Sequence, residues 1–313
     1  MKTNPSNTNF QLSRMYSFIR SRQLERTFPG SPSTGVWIST ALRVSKGWGE
    51  LEESLWPYDA SHWPPIEPLG VDLHAKTHRV LAYQRISTID ECRIAIANSN
   101  SMPLIAINID NSWNNPVNGR IANPKKQHIT AAHTVVLLGY DDNDKMFHFI
   151  NSWGTSWGDR GHGFLPYSYF PNRFLEGWSI TAYDTLRPKR LKSNGVHLYS
   201  WEIEGLLGYP LYGIEFMDTI QDEMIAWAFA IEREDFLDIE ELFVRPNWRR
   251  QGYACKIATE FNQLSLKLGK RLRVWIPHSD NISMNYSALD ATLSHMHLSI
   301  EPSPVKWAAK VGL

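Results

Sequence analysis

Two domains are what this sequence predicts: an α+β domain of helices followed by an antiparallel sheet, then an α/β domain with a mixed central sheet. Three observations lead there. The length of 313 residues is enough for two ordinary hydrophobic cores. Within the first half the apolar pattern changes from helical to extended spacing. The second half carries a run of strand-like segments that ends in one strongly amphipathic helix.

Leu12, Met15, Tyr16 and Ile19 recur at helical spacing behind Ser13, a residue type that caps helix N-termini. Ile38, Ala41 and Leu42 repeat the pattern after a Gly/Pro/Ser-rich loop over 29–35. A third helical stretch, Ile89 to Ile96, holds Cys92 and leads into the run LIAINI. From there the pattern is extended: LIAINI, HTVVLLGY, MFHFIN and WSITAY, with turn chemistry such as Asp141 to Asp144 between them. The basic stretch Arg187 to Lys192 reads as a solvated linker. It divides the chain into a first domain over 1–185, a linker over 186–194 and a second domain over 195–313. Beyond the linker LYGIEFMD, MIAWAFAIE and FLDIEELFV read as strands. A helix over about 254–267 follows, with Ala254, Ile257, Ala258, Phe261 and Leu264 on one face, and then the strand LRVWIP.

Composition narrows the function classes. Thirty-two basic and 32 acidic residues leave no net charge, so no global field draws nucleic acid or an anionic membrane. Two cysteines, Cys92 and Cys255, make no disulfide framework; both read as packed thiols. The first residues lack an apolar targeting core, and no run approaches the roughly 20 apolar residues of a spanning helix. The reading is a cytoplasmic protein without a nucleic-acid or membrane partner and without a metal. The sequence leaves its oligomeric state open.

The stretch from His133 to Tyr140, followed by Asn151-Ser-Trp-Gly-Thr-Ser-Trp-Gly158 and Gly161, resembles the papain family of cysteine peptidases at its most specific point. The resemblance covers most of 10–185 and includes the loop ending at Gly35 and the segment Glu53 to Tyr58. It implies that His133 is the catalytic histidine, that Asn151 orients its imidazole, and that Trp153 shields their hydrogen bond. It also implies that Gly35 lies on the substrate-cleft wall and offers backbone hydrogen bonds to an extended peptide. The pattern departs from the family at the nucleophile. The C-G-[SA]-C-[WY] signature belongs roughly 130–150 residues before the histidine, which from His133 lands at or before Met1. The glutamine that helps form the oxyanion hole is missing with it. Cys92 sits on the wrong helix to replace the nucleophile. Peptide hydrolysis by this chain alone is therefore not expected.

Phe236 to Lys267 resembles the central motif of the GNAT acetyltransferases: a strand, a turn, then [RQ]-x-x-G-x-[GA] opening a helix. Here Arg249, Arg250, Gln251, Gly252, Tyr253 and Ala254 fill the motif. Consecutive N–H groups at a helix N-terminus cradle a pyrophosphate, and small residues let the backbone come close. No G-x-G-x-x-G follows any predicted strand, which removes a dinucleotide site. The resemblance implies acetyl-CoA as co-substrate, with the backbone of Leu242, Phe243 and Val244 touching the pantetheine and the oxyanion. Glu240 or Glu241 would be the base that takes a proton from the amine. Strand alternation places these two on opposite faces, so only one would point into the cleft; the sequence leaves open which. The family's leaving-group tyrosine has no counterpart at its usual offset after Asn285, Tyr286 and Ala288. The segment between the linker and Leu211 looks too short for the helices that build the acceptor wall, which suggests that the first domain helps to hold the amine.

Three functions follow. The first is an acetyl-CoA-dependent N-acetyltransferase whose papain-like domain is inactive and binds a peptide or protein amine. The second is a cysteine peptidase whose nucleophile lies upstream or on a separate chain, with the GNAT domain as accessory. The third is a non-catalytic binding protein.

Overall fold

The computed structural model describes residues 11–97, 101–124, 129–183, 195–206 and 208–274. Packing divides the chain into two compact units, one of Met1–Val80, Arg187–Ile203 and Pro210–Leu313, the other of Leu81–Leu186 and Glu204–Tyr209. These units cut the chain differently from its sequence resemblances, because the first 80 residues pack with the C-terminal sheet.

The first helices are α1 (Arg14–Leu24), α2 (Ile38–Gly47) and α3 (Val71–Ala75). Ser13 caps α1 as its spacing predicts: its hydroxyl oxygen accepts from the Tyr16 N–H at 3.0 Å and donates to the Trp56 carbonyl at 2.6 Å. Met15, Tyr16 and Ile19 then close a core with Val44, Leu51, Trp56 and Val71.

The second unit is a six-stranded sheet with two short helices. Its elements are β1 (Val80–Arg85), α4 (Ile89–Ala97), β2 (Leu104–Ile109), β3 (Ala131–Asp141), β4 (Met146–Ile150), β5 (His162–Pro166), α5 (Phe170–Arg173) and β6 (Phe174–Tyr183). The strand order is β1-β6-β2-β3-β4-β5, and the β6/β2, β2/β3, β3/β4 and β4/β5 pairs are antiparallel. Alternate residues Val135, Leu137, Phe147, Phe149 and Leu165 are buried, as a period of two requires.

The sheet of the first unit contains β7 (Val196–Glu204), β8 (Pro210–Asp218), β9 (Glu223–Glu232), β10 (Phe236–Val244) and β11 (Arg271–Val274), with α6 (Tyr253–Leu268) between β10 and β11. The order is β11-β10-β9-β8-β7. The β8/β9/β10 pairs are antiparallel and β10/β11 is parallel, which is the mixed sheet expected. On one face Tyr253, Ile257 and Phe261 of α6 pack with Ile214, Ile225, Leu237 and Ile239. On the other lies α2: a Cβ on Gly47 would stand 2.8 Å from the Trp227 ring, so only glycine allows this approach. Covered on both faces, β9 is buried from Met224 to Ile231 and reads as an unbroken apolar run. The stretch ahead of Leu211 holds the strand β7 rather than acceptor-wall helices, and it is α2 that covers the sheet. The linker over 186–194, the end of the LRVWIP run after Val274, and Asn285, Tyr286 and Ala288 lie outside the described residues.

Candidate active-site residues in the two units

His133 stands near the start of β3, opposite Ile107 of β2, and Asn151 directly follows β4. Their side chains meet, with His133 Nε2 2.8 Å from Asn151 Oδ1. The backbone N–H of Ser152 donates to the same oxygen at 2.8 Å. An N–H can only donate, so the amide oxygen must face both groups, and Nε2 must carry the hydrogen. The imidazole is thereby held as the tautomer whose Nδ1 keeps a lone pair for base chemistry. Trp153 lies 4.7 Å from the ring and Trp113 5.8 Å, edge-on. Trp153 packs beside the imidazole while remaining 39 % exposed itself.

Burial holds the His133 pKa below the ordinary histidine value, and the Asn151 bond offsets part of that shift. A pKa lowered on folding means that the unfolded state takes the proton more readily. The contribution to stability is thus present above the unfolded value of about 6.5 and is lost as pH falls through the folded pKa. A proton-detected NMR titration should find His133 titrating below the ordinary histidine value of about 6.5, and lower still in Asn151→Ala. A rise in Asn151→Ala would show that the bond does not favour the charged form.

Cys92 on α4 is fully buried, and that burial pushes its thiol pKa well up. It is a packed thiol and not a nucleophile. Cys255 differs from the expectation of a packed thiol: it is exposed. It points away from the buried stripe Tyr253, Ile257, Ala258, Phe261 and Ser265 of α6.

Gly35 belongs to the first unit, is exposed, and has open space where a Cβ would be. The loop before it is fastened by a residue that sequence reasoning missed. The buried Arg22 donates from Nη1 to the carbonyls of Ser31 and Thr34 at 2.9 and 3.0 Å, and from Nη2 to that of Thr27 at 2.6 Å. No sequence signal marks it, because its partners are all backbone or near-backbone atoms.

In the same unit β10 carries a register shift between Ile239 and Glu241. Ile239 and Leu242 both join the α6-side core although they stand three positions apart, an odd offset. Strict alternation of Glu240 and Glu241 therefore fails at this bulge. Glu241 faces α2, where Arg43 Nε and Nη2 reach its two oxygens at 3.2 and 3.4 Å. Glu240 pairs with Arg233 Nη2 at 3.4 Å. Phe243 is buried between two guanidinium groups, with Arg43 Cζ 5.4 Å and Arg249 Cζ 5.8 Å from its ring centre.

After β10 comes the motif loop. Arg249 Nε donates to the Val244 carbonyl at 3.1 Å, and Gln251 Nε2 reaches the Asn247 carbonyl at 3.4 Å. Arg250 and Gly252 adopt left-handed φ of 63° and 82°. Gly252 is the N-cap of α6 and supplies no side-chain cap, and nothing stands within 4 Å of where its Cβ would be. The side chain of Tyr253 turns inward onto Phe216, ring centres 5.2 Å apart, so only its backbone can serve a ligand. Burial lowers the Arg249 pKa first, and the charges of Arg26 and Arg43 lower it further. Arg43 has Glu241 as counter-ion, whereas Arg26, Arg249 and Arg250 have no carboxylate partner among the described residues.

Comparison with known proteins supports the papain-family resemblance. Residues 28–168 match the model of the papain family cysteine proteases. An uncharacterized peptidase C1-like protein of Acanthamoeba polyphaga mimivirus is 28% identical over 178 residues, which are 53% of this chain and 57% of that protein. The chain spans about half the length of the curated relatives it matches. Among solved structures, xylellain, a cysteine protease from Xylella fastidiosa, aligns with 56% of this chain and 72% of its own at 25% identity and a TM-score of 0.51. An aminoglycoside acetyltransferase from an uncultured soil metagenomic sample aligns with 32% of this chain and 66% of its own, at 19% identity and a TM-score of 0.26, too shallow a likeness to argue from. The chain thus contains a papain-like region with an antiparallel sheet. Among the described residues no helix is long and apolar enough to cross a membrane.

Proposed function

We propose that the chain is an acetyl-CoA-dependent N-acetyltransferase acting on an amine, with a papain-like region that does not hydrolyse peptides and binds a peptide or protein. The observation that carries this reading is the loop Arg249 to Ala254. Two left-handed residues turn the chain into an uncapped helix start with room above it, and Arg26, Arg249 and Arg250 bring charge that has no carboxylate partner among the described residues. Like charges gathered without a counter-ion are unfavourable, and a pyrophosphate relieves that cost. The backbone of Leu242, Phe243 and Val244 is then the thioester contact. The amine attacks the thioester carbonyl carbon, the C–S bond breaks, the amine proton passes to a base, and the CoA thiolate leaves. Of the two glutamates, Glu241 is held inside by Arg43, which favours Glu240 on the bulge as that base.

Titration calorimetry of the intact chain with acetyl-CoA is expected to give a Kd within about 1 μM–1 mM, the usual range for an enzyme substrate. Gly252→Glu should weaken it at least about tenfold, since a carboxylate would stand where the pyrophosphate sits. Gly252→Asn, which tolerates a left-handed φ, should lose less. No heat with the intact chain, or equal affinity in all three, defeats the reading.

A second reading is favoured by the His133–Asn151 pair: a cysteine-type peptidase whose nucleophile comes from another segment or chain. The lone pair kept on Nδ1 is the base that such a thiol requires.

A further inference from the structure

Between α1 and α2 lies a buried carboxyl group that neither reading uses. Glu50 stands just beyond the end of α2 and is 9% exposed. The turn that delivers it is fixed. Gly49 takes a left-handed φ of 95°, and a Cβ there would collide with the Ala75 carbonyl oxygen, so only glycine fits. The Glu50 N–H donates to the His78 carbonyl at 3.1 Å. Its side chain turns back between the helices, where Oε2 meets the Ser17 hydroxyl of α1 and Oε1 meets the Ser45 hydroxyl of α2. No cation pairs with this carboxyl among the described residues, because those on the surrounding elements have other partners. Arg14 of α1 pairs with Glu53, and Arg20 with Glu67 and Asp72. Arg43 and Lys46 of α2 pair with Glu241 and Glu215. The His78 ring lies 3.4 Å from Glu52, and Arg79 pairs with Asp222.

The hydrogens available at Ser45 fix the charge of Glu50. Ser45 Oγ also donates to the Ala41 carbonyl, at 3.0 Å, and a hydroxyl has only one hydrogen to give. Were Glu50 ionised, either that carbonyl or Oε1 would face the Ser45 oxygen lone pair to lone pair. With a proton on Oε1 every contact has its hydrogen: Oε1 donates to Ser45, Ser45 to the Ala41 carbonyl, and Ser17 to Oε2. A buried carboxylate without a cation is also the costly alternative. We propose that Glu50 is a neutral acid in the folded protein and forms a proton latch between α1 and α2, which loosens when that proton leaves. Burial raises its pKa, and the bonds from Ser17 and Ser45 offset part of the rise. The folded state therefore binds the proton more tightly than the unfolded state. The latch's contribution to stability is fully present below the unfolded value of about 4.3 and is lost as pH rises through the folded pKa. Its target is the sheet's covering helix, since α2 also carries Arg43 to Glu241 and Lys46 to Glu215.

The first test needs no variant to fold. In the intact unmutated protein the side-chain carboxyl carbon of Glu50, assigned through its own backbone, is followed by NMR as pH is raised. It should keep the shift of a neutral acid well past about 4.3, the ordinary glutamate value; titration at or below that value overturns the proposal. Glu50→Gln then keeps the shape of the side chain and removes its titratable proton. The ratio of the unmutated protein's unfolding constant in urea to that of Glu50→Gln should rise about tenfold per pH unit above about 4.3, until Glu50 itself ionises. Beyond that point the amides of α2 should exchange with solvent faster in the unmutated protein than in Glu50→Gln at the same pH. A ratio that does not rise with pH, or equal exchange of the α2 amides once the Glu50 carboxyl has titrated, overturns the latch.

Discussion

Lys46→Met is expected to destabilise the protein by about 3–5 kcal/mol, the range for a buried ion pair deprived of one partner. The Lys46 side chain is 0% exposed and that of Glu215 1%. The ammonium pairs with the Glu215 carboxylate, Trp201 Nε1 donates to the same oxygen at 3.0 Å, and the Phe229 ring lies 5.5 Å from Nζ. Without the ammonium, the carboxylate loses its buried cation while staying desolvated, which is the costly case. At about 2–4 °C per kcal/mol for a unit of this size, Tm should fall by roughly 10 °C. Lys46→Met/Glu215→Leu removes both charges and should recover most of the loss. Urea unfolding measures both variants; a single-variant loss under about 1 kcal/mol would mean that water reaches the pair. Because Lys46 lies on α2 and Glu215 on β8, the experiment also asks whether α2 is a fixed part of the sheet's cover.

That contact explains what sequence reasoning could and could not reach. Local signals found the elements whose burial is one-sided or complete. Ser13 marked the start of α1, the run LIAINI is β2, and the unbroken MIAWAFAIE is β9 between two covering layers. Charged residues on a helix read as a solvated face, yet Lys46 and Arg43 are buried by acids 169 and 198 positions away. Pairings that distant leave no trace in a local window. β1 and β7 escaped notice for opposite reasons. VLAYQR is too short and too uniformly buried for a period to stand out, whereas β7 alternates exposed and half-buried positions in a segment that reads only as too short for the helices of the family. Cys255 was misplaced by reading the helix without its wheel: one residue beyond Ala254 is a turn of 100°, enough to leave the apolar stripe. The His133–Asn151 pair was legible because its motif fixes a strand, a turn and a neighbour together. The fate of Glu241 was not, because a bulge and a distant arginine decide it.

Trp113→Ala should couple stability to titration in the papain-like sheet. Trp113 ends the short turn Asn111–Trp113, which Asp110 caps by accepting from the Ser112 N–H at 2.9 Å. Its ring is fully buried and meets His133, Phe149, Trp153, Trp157 and Tyr169. Its Nε1 donates to the Tyr169 hydroxyl at 3.2 Å, and its carbonyl accepts from Trp157 Nε1 at 2.6 Å. Truncation empties the middle of this cluster and should cost about 3–5 kcal/mol. Desolvation is the main cause of the low His133 pKa, so water entering the space should raise that pKa toward about 6.5. Trp113→Phe keeps the ring volume in large part and loses the bond to Tyr169; it should cost about 1 kcal/mol for the hydrogen bond plus a smaller packing loss, and leave the titration nearly in place. NMR titration of His133 alongside chemical denaturation separates the two effects. If Trp113→Ala loses stability while His133 titrates as before, then Trp153 alone keeps water from the imidazole, and the turn at Asn111–Trp113 supports the sheet without tuning its histidine.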